Sequence, residues 1–291
     1  MGGSAWLDME GAIKDQLALQ VDLSFDRHHA FLLAHGLEQC RHVFDLGTGN
    51  GLFLARLARA HPAVFFHGID DKPHMIAAAR GRNAPNAEWV LADALAPGVC
   101  ELLRDAGAIL MRYFLLHLPN TRDALCRILA RTKPGTRLWA FDLDVDHSKC
   151  EPPHEAFTAF TDLVKRFCEK NAVEIRTFAK LPPILEDLGW EVDCVSVEPF
   201  NNREVDAEKF ARYLLREAAL YHYFLHGTPG DEALRPLRDF LHDVMDRAGF
   251  WVQYGMVMVS AVKRGGLSGC RRSYLQNKRE RLLRGRRTNP F

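Results

Sequence analysis

Short apolar segments alternate with amphipathic segments along the first half of the chain. The apolar segments 42–46, 63–70, 87–94 and 137–144 have the length of strands, and a fifth occupies the start of 107–119. Residues 52–60, 73–82 and 121–132 lie between them and carry apolar positions at helical spacing. This alternation predicts an α/β fold with a doubly wound sheet and right-handed crossovers.

The segment before the first strand has helical spacing in two pieces. Residues 6–19 form one predicted helix and residues 25–35 a second. Ser24 precedes the second helix and is in position to act as its N-cap. We therefore expect residues 1–40 to form a small helical segment ahead of the sheet.

The second half of the chain contains two more predicted strands and two additional stretches. Residues 191–199 and 251–262 read as the sixth and seventh strands. The stretches 146–180 and 201–250 exceed a minimal sheet with its crossovers, and the latter is mostly helical in pattern. We interpret both as insertions, and a packing or dimer element is one interpretation of 201–250.

A glycine turn follows the first strand. Gly47 and Gly49 lack Cβ, so the backbone there can turn sharply and approach a ligand. The next helix presents free N–H groups to that ligand. A dinucleotide fingerprint would need a third glycine at Leu52, and a P-loop would need a following Gly-Lys-Ser/Thr, so neither pattern is present.

The run Asp45-x-Gly47-x-Gly49-x-Gly51 resembles motif I of the class I S-adenosylmethionine-dependent methyltransferases. The resemblance implies that Asp45 lies near the amino group of the methionine moiety. It also implies that Gly47, Thr48 and Gly49 make room for the cofactor. S-adenosyl-L-methionine is therefore the expected cofactor.

Acidic residues follow the second and third predicted strands. Asp70 and Asp71 come 23 residues or more after Gly47, close to the roughly 20 expected for a ribose-binding acid. The run Gly-Ile-Asp-Asp resembles the second motif of the family, and we choose Asp70 as the ribose ligand. By the same resemblance, Asp93 meets the adenine amine and the Ala94 N–H meets a ring nitrogen; an Asp93 that only caps the next helix is the alternative.

The run Leu116-His117-Leu118-Pro119 resembles a segment of the small-molecule and quinone-type branch of this family. The resemblance covers about 25–263 and implies a Rossmann-like methyltransferase fold of seven mostly parallel strands, the last of them antiparallel. The family usually carries an acid near the start of the fourth strand, where this chain has Ala106-Gly107-Ala108. We predict a methyltransferase domain over 41–263. The resemblance also implies that residues 1–40 form a helical lid over the site and that the insertions 146–180 and 201–250 cover the substrate.

Three residues near the end of the fourth strand are candidates for catalysis or binding. His117 is a candidate general base because histidine titrates near neutral pH, although packing is the alternative. Arg112 could pair with the methionine carboxylate or with an acidic acceptor. Tyr113 is a substrate-contact candidate whose alternative is core packing.

Alternating acids follow the fifth predicted strand. Asp142, Asp144 and Asp146 share one face if the strand continues. A solvated strand exit explains them more simply than a metal site, and no metal is expected. Binding of a cationic or polar acceptor by Asp144 is the functional interpretation.

Aromatic and imidazole side chains cluster in the second insertion. On a helix, Tyr221 and Phe224 share one face, while His222 and His226 share another. We expect Tyr221 and His222 to contact substrate; core packing is the alternative.

Composition and charge narrow the class of protein. The 291 residues are 47% hydrophobic and 26% charged, as in globular proteins, and no apolar run approaches the roughly 18 residues of a membrane span. No secretory signal is visible, and the seven cysteines include no C-x-x-C pair, so we expect reduced thiols and a cytoplasmic protein.

The net charge of +1 is unevenly distributed. Residues 263–291 contain ten Lys/Arg and one Asp/Glu, which leaves the remainder acidic. We expect a basic, flexible tail over 264–291. An acidic body disfavours nucleic acid as the substrate.

These patterns lead to one hypothesis and two alternatives. The hypothesis is methyl transfer to an O or N atom of a small aromatic or polar metabolite, by in-line displacement and proximity catalysis. The first alternative is an RNA or protein methyltransferase guided by the basic tail, which deletion of 264–291 with an RNA-retention assay would test. The second is a non-catalytic protein that binds the cofactor.

Overall fold

The computed structural model describes residues 3–118, 120–171, 177–228, 230–245, 247 and 249–265. Ten strands and nine α-helices lie within these ranges. The strands are β1 (His42–Leu46), β2 (Phe65–Asp70), β3 (Ala87–Leu91), β4 (Ala108–Arg112), β5 (Arg137–Leu143), β6 (Lys149–Glu151), β7 (Trp190–Val197), β8 (Phe200–Asn201), β9 (Trp251–Tyr254) and β10 (Met256–Lys263). The helices are α1 (Gly3–Ala34), α2 (Leu52–Ala60), α3 (Pro73–Arg80), α4 (Pro97–Leu102), α5 (Thr121–Leu129), α6 (Glu155–Lys170), α7 (Thr177–Asp187), α8 (Ala207–His226) and α9 (Arg235–Val244).

Seven strands form the main sheet in the order β3-β2-β1-β4-β5-β10-β7. The strands from β1 to β5 pair in parallel, whereas β10 lies antiparallel between β5 and β7. Apolar clusters cover both faces, with α1 and α2 on one face and α4, α5 and α7 on the other. The predicted Rossmann-like sheet with an antiparallel last strand is confirmed.

Burial on both faces explains why the central strands read as continuous apolar runs. Residues 108–111 of β4 are fully buried, and so is most of β10. Trp139 in β5 and Trp190 at the start of β7 are among the largest fully buried side chains. The strong hydrophobic signal of these segments is therefore a consequence of the layered architecture.

The N-terminal segment differs from its prediction in one respect. Residues 3–34 form one continuous helix rather than two, and Ser24 lies inside it. The buried Ser24 hydroxyl donates to the Gln20 carbonyl at 2.6 Å, one turn earlier in the same helix. Ser24 is therefore not an N-cap, because a serine hydroxyl can bond within a helix as well as start one.

The predicted seventh strand is two strands. Gly255 separates β9 from β10, and β9 pairs with β6 and β8 in a separate three-stranded sheet. The prediction of one strand over 251–262 is thus wrong, because a period-two pattern does not reveal which sheet a segment joins. The small sheet, α6, α8 and α9 share an apolar core, so the two insertions form one structural unit.

The acidic trio after the fifth strand is also not arranged as expected. β5 ends at Leu143, and the Asp144 carboxylate accepts the Asp146 N–H at 3.1 Å to begin a 3-10 helix. The chain therefore leaves the strand before the period-two geometry can align Asp142, Asp144 and Asp146. The described residues contain no cluster of acids, cysteines or histidines that could hold a metal ion.

Most cysteines among the described residues are free thiols. Five cysteines (Cys40, Cys100, Cys150, Cys168 and Cys194) are free, as the spacing predicts. Cys126 is disulfide-bonded, which differs from the expectation because sequence spacing does not report spatial proximity. No described helix has the length and apolar character required to cross a bilayer. The predicted tail lies outside the described residues beyond Gly265.

Candidate functional site

The glycine turn after β1 is built as the sequence predicts. Gly47, Gly49 and Gly51 have φ values of +76°, +58° and +69°, which L side chains rarely adopt. The N–H groups of Gly47 and Thr48 donate to the Ile69 carbonyl at 2.9 and 3.0 Å. A Cβ at Gly47 would lie 2.6 Å from the Phe114 ring, so the turn needs glycine for space as well as for conformation.

A cavity of about 640 Å³ begins at this turn and extends to α8. Its volume lies within the roughly 300–1,000 Å³ of small-molecule sites. The turn end is lined by Asp45, Gly47, Thr48, Gly49, Asp70, Asp71, Asp93 and Ala94. The α8 end is lined by Phe167, Glu217, Leu220, Tyr221 and Phe224, and one side by Ile13, Gln16, Leu17, Gln20 and Val21 of α1.

Asp45 is buried below the glycine turn. Burial raises the pKa of its carboxyl to about 6, while the neighbouring Thr48 hydroxyl and the Arg112 charge act in the opposite direction. Its Oδ1 atom is buried and has no hydrogen-bond partner among the described residues. Such an oxygen is a ready acceptor for an N–H donor that enters the cavity.

Asp70 holds the two sides of the turn together. Its Oδ2 accepts the Gly49 N–H at 2.9 Å, and its Oδ1 accepts the Lys72 N–H at 2.9 Å. The adjacent Asp71 is exposed and pairs with the Lys72 ammonium at 3.2 Å. Both acids line the cavity, but only Asp70 is fixed by backbone donors.

Asp93 follows β3, which ends at Leu91 rather than at the predicted Ala94. Its Oδ1 accepts the Leu95 N–H at 2.8 Å, so part of its role is to shape the turn. Asp93 and Ala94 both line the cavity. Asp93 therefore accepts a bond in the turn, as the capping alternative predicts, and also lines the cavity, as adenine binding requires.

Arg112 ends β4 and lies between the two ends of the cavity. Its guanidinium donates to Gln20 Oε1 at 2.7 Å and lies 4.6 Å from the centre of the Phe53 ring. Tyr113 follows with φ of +52° and is buried, with its hydroxyl 3.6 Å from the Met256 sulfur. Both residues line the cavity, so Tyr113 combines a wall position with core packing.

His117 lines the cavity beside these residues and is exposed. The protein around the ring lowers its pKa by desolvation, against the opposing effect of Asp70. A lowered pKa favours the neutral imidazole, which is the form that can accept a proton.

Two predicted substrate residues are not in the cavity lining. Asp144 is buried and faces His147, with 3.3 Å between its Oδ2 and the His147 Nδ1. His222 Nδ1 lies 2.8 Å from the Thr228 carbonyl, and its ring packs against His226. Tyr221 and Phe224 do line the cavity, which agrees with their predicted common helical face.

The structure also brings in residues that the sequence patterns did not single out. Gln16 and Gln20 of α1 and Glu217 of α8 are buried in the cavity wall. Gln16 and Gln20 share a face of the continuous helix α1, but Gln20 lies beyond the predicted helix 6–19, so the sequence patterns gave no signal for the pair. Nothing in the local sequence of Glu217 distinguishes it from a solvated glutamate.

Comparisons with known proteins agree on the turn end of the cavity. A family model described as a methyltransferase domain matches residues 43–135. An uncharacterized methyltransferase of Mycobacterium tuberculosis is 38% identical over 102 residues, which cover 34% of this chain and 48% of the relative. Residues 43–135 form a class I S-adenosylmethionine-dependent methyltransferase domain.

Two further comparisons reach beyond this methyltransferase domain. The trans-aconitate 2-methyltransferase of Mycobacterium tuberculosis is 26% identical over 164 residues, which cover 54% of this chain and 59% of that protein. The matches thus cover only 48% and 59% of the lengths of these two relatives. The [4+2]-cyclase SpnF has a TM-score of 0.53 at 18% identity, with 83% of this chain and 82% of that chain covered. At 18% identity, that likeness shows the fold alone.

The methyltransferase domain supplies only part of the cavity. The match over 43–135 includes the glycine turn, Asp70, Asp93, Arg112 and His117. The wall contributed by α1, α6 and α8 lies outside it. The residues that determine what this second wall binds therefore lie outside the matched region.

Proposed function

We propose that this chain transfers the methyl group of S-adenosylmethionine to an O or N atom of a small molecule bound at the α8 end of the cavity. The observation that carries the proposal is continuity: one cavity joins the glycine turn to the wall formed by α6 and α8. Cofactor and acceptor can therefore lie next to each other.

The residues at the turn end fit S-adenosylmethionine. The unpartnered Asp45 Oδ1 suits the ammonium of the methionine moiety, and Arg112 suits its carboxylate. Each Asp70 oxygen accepts one backbone N–H and has a further lone pair for a ribose hydroxyl. We assign Asp93 and Ala94, which line the cavity, to the adenine edge.

The cofactor, when bound, supplies an activated methyl group, so the chain contributes mainly position. Holding two reactants at attack distance accounts for roughly 7–11 kcal/mol of a barrier. A positioned base contributes a further factor of roughly 10²–10⁴. We assign the base to His117, whose imidazole lines the cavity, with a proton of the acceptor moving to the ring.

An acceptor panel with detection of S-adenosylhomocysteine tests the proposal. Leu220→Trp should fill the α8 end and abolish turnover while S-adenosylhomocysteine binding stays within about threefold, because Leu220 lines only that end. Leu102→Trp places the same ring on an exposed site and should leave turnover unchanged. Loss of cofactor binding in Leu220→Trp, or full turnover, would contradict the two-ended cavity.

The raised pKa of Asp45 leads to a prediction for pH. As the pH falls through about 6, Asp45 takes up a proton and no longer attracts an ammonium. Affinity for S-adenosylhomocysteine should then fall by up to about tenfold per pH unit between pH 6 and pH 5. Calorimetric titration from pH 7.5 to 5 measures this.

Asp45→Asn provides the control for the pH prediction. The amide has the same shape and no charge, so its binding should be weaker at pH 7.5 and nearly independent of pH. A wild-type affinity that is constant from pH 7.5 to 5 would remove Asp45 from the ammonium site.

The acceptor of one relative provides a contrast. The trans-aconitate in that relative's name is a polyanion at neutral pH, and binding it calls for lysine or arginine. Among the described residues that line the α8 end, the one charged side chain is the acid Glu217. We therefore propose an acceptor other than a polycarboxylate for this chain.

A further inference from the structure

Glu217 is a buried acid without a basic partner at the α8 end of the cavity. The residue is 7% exposed, and its Oε1 accepts the Gln16 Nε2–H at 2.8 Å. No lysine, arginine or histidine of the described residues forms an ion pair with it. Arg216, the preceding residue, does not compensate for this charge, because its guanidinium pairs with the exposed Asp15 at 2.9 Å.

This arrangement is costly unless a ligand compensates for it. Burial raises the pKa of Glu217, while Gln16 and the hydroxyls of Tyr221 and Tyr213 favour its charged form. A buried carboxylate without a cation is less stable than an apolar side chain of the same size. A titratable group that is desolvated in a cavity is instead typical of binding and catalytic sites.

The side-chain oxygen of Gln16, beside Glu217, has no hydrogen-bond partner among the described residues. Gln16 is 4% exposed, and its Oε1 is buried without a hydrogen bond. In the structure Glu217 Oε1 accepts the Gln16 Nε2–H, which leaves the Gln16 oxygen free. Gln16 and Glu217 thus present acceptor atoms, and a complementary ligand must supply several N–H or O–H donors.

Aromatic side chains form the remaining walls. Phe167 lies against Tyr221 with 4.9 Å between ring centres and against Phe224 with 5.8 Å. All three line the cavity beside Glu217. Aromatic faces attract cations, so they add to the preference that the carboxylate sets.

We propose that the α8 end binds a protonated amino group, with Glu217 and Gln16 Oε1 accepting its N–H hydrogen bonds, so that the methyl acceptor is a molecule that carries an amine. This assignment rests on the proposed function, because it identifies the acceptor of the same cavity. An ammonium supplies the positive charge that is missing beside Glu217. It also supplies the N–H donors that the oxygens of Glu217 and Gln16 require. A neutral alcohol supplies only one donor, and a carboxylate is repelled.

Three probes with one skeleton test the proposal on the full chain. Phenethylamine, 2-phenylethanol and 3-phenylpropanoate share a ring for the aromatic walls and differ in charge. Binding is measured by calorimetry with and without saturating S-adenosylhomocysteine. We expect phenethylamine to bind at least tenfold more tightly than 2-phenylethanol, and 3-phenylpropanoate not to bind.

Substitution of Glu217 isolates its contribution. Glu217→Gln should weaken phenethylamine binding by about 30-fold, because it removes a charged acceptor, and leave S-adenosylhomocysteine binding within twofold. The matched control is Glu208→Gln, the same change at an exposed position of the same helix, which should alter neither. Melting temperatures of both variants show whether the fold is retained.

The outcomes separate this proposal from the proposed function. Equal affinity for the amine and the carboxylate, absence of phenethylamine binding, or an unchanged affinity in a folded Glu217→Gln protein would overturn the amine site. The comparison of probes on the wild type decides the matter even if Glu217→Gln fails to fold. If the wild type does not bind S-adenosylhomocysteine, the proposed methyl transfer is overturned instead. Titration of phenethylamine without cofactor then still tests the amine site.

Discussion

Asp70→Ala is expected to weaken S-adenosylhomocysteine binding by about 2–3 kcal/mol, which is roughly 30- to 150-fold in the dissociation constant. The substitution removes the proposed ribose ligand, a charged acceptor for the hydroxyls. It also releases the Gly49 N–H, which Asp70 Oδ2 holds at 2.9 Å. Calorimetric titration at pH 7.5 measures the loss.

Asp71→Ala is the matched control for Asp70. Asp71 is the adjacent acid, lines the same cavity and pairs at 3.2 Å with the exposed Lys72 ammonium. Exposed ion pairs contribute little, so we expect less than about a threefold change in affinity. A larger loss in Asp71→Ala than in Asp70→Ala would transfer the ribose role to Asp71. Absence of wild-type binding would overturn the cofactor assignment itself.

Gly255→Ala is expected to lower the free energy of unfolding by about 3 kcal/mol. A Cβ at this position would lie 2.0 Å from the Asp144 carbonyl oxygen and 2.9 Å from the His147 Cβ. The backbone has little freedom to move away. The Gly255 N–H donates to Ser148 Oγ at 3.0 Å, and its carbonyl accepts the Asp144 N–H at 3.1 Å.

Urea unfolding of Gly255→Ala and Gly98→Ala provides the comparison. Gly98 lies in α4, and no atom lies within 4 Å of the position a Cβ would take. Gly98→Ala should therefore raise stability by about 0.5–1 kcal/mol, the usual gain in helix propensity. If the free energy of unfolding of Gly255→Ala lies within 1 kcal/mol of the wild-type value, the junction between the two sheets tolerates a side chain. The packing argument is then wrong.

The Gly255 junction also matters for the proposed acceptor site. Gly255 separates β9, which belongs to the small sheet of the insertions, from β10 in the main sheet. The core that β9 shares with α6 and α8 supports the wall that carries Glu217. Disruption at Gly255 should therefore reduce phenethylamine binding more than S-adenosylhomocysteine binding.

The first strand, the glycine turn and the helix after it could be predicted from the sequence because their signals are local. The bounds predicted for the first strand and for the helix after the glycine turn, 42–46 and 52–60, agree with the structure. The positive φ values at Gly47, Gly49 and Gly51 follow from a residue type that alone adopts them readily. The carboxyl ends of parallel strands meet at one edge, so Asp45, Asp70 and Asp93 come together once the strand order is known.

Other expectations failed where a local pattern has two structural solutions. A serine between two apolar helical stretches can cap a helix or lie inside one, and Ser24 lies inside. Period-two spacing marks a strand but not its sheet, so the break at Gly255 was not visible. Asp144 and His222 have suitable chemistry, yet the chain turns their side chains toward His147 and Thr228.

The sequence by itself determined the α/β sheet, the glycine turn and the acids at the strand ends, because helix and strand periodicity and glycine conformation act over a few residues. Only the tertiary structure decided the chemistry of the α8 end. Gln16 and Glu217 are 201 residues apart and meet through the packing of α1 against α8. Whether a glutamate is solvated or buried without a cation depends on that packing, and no local pattern encodes it.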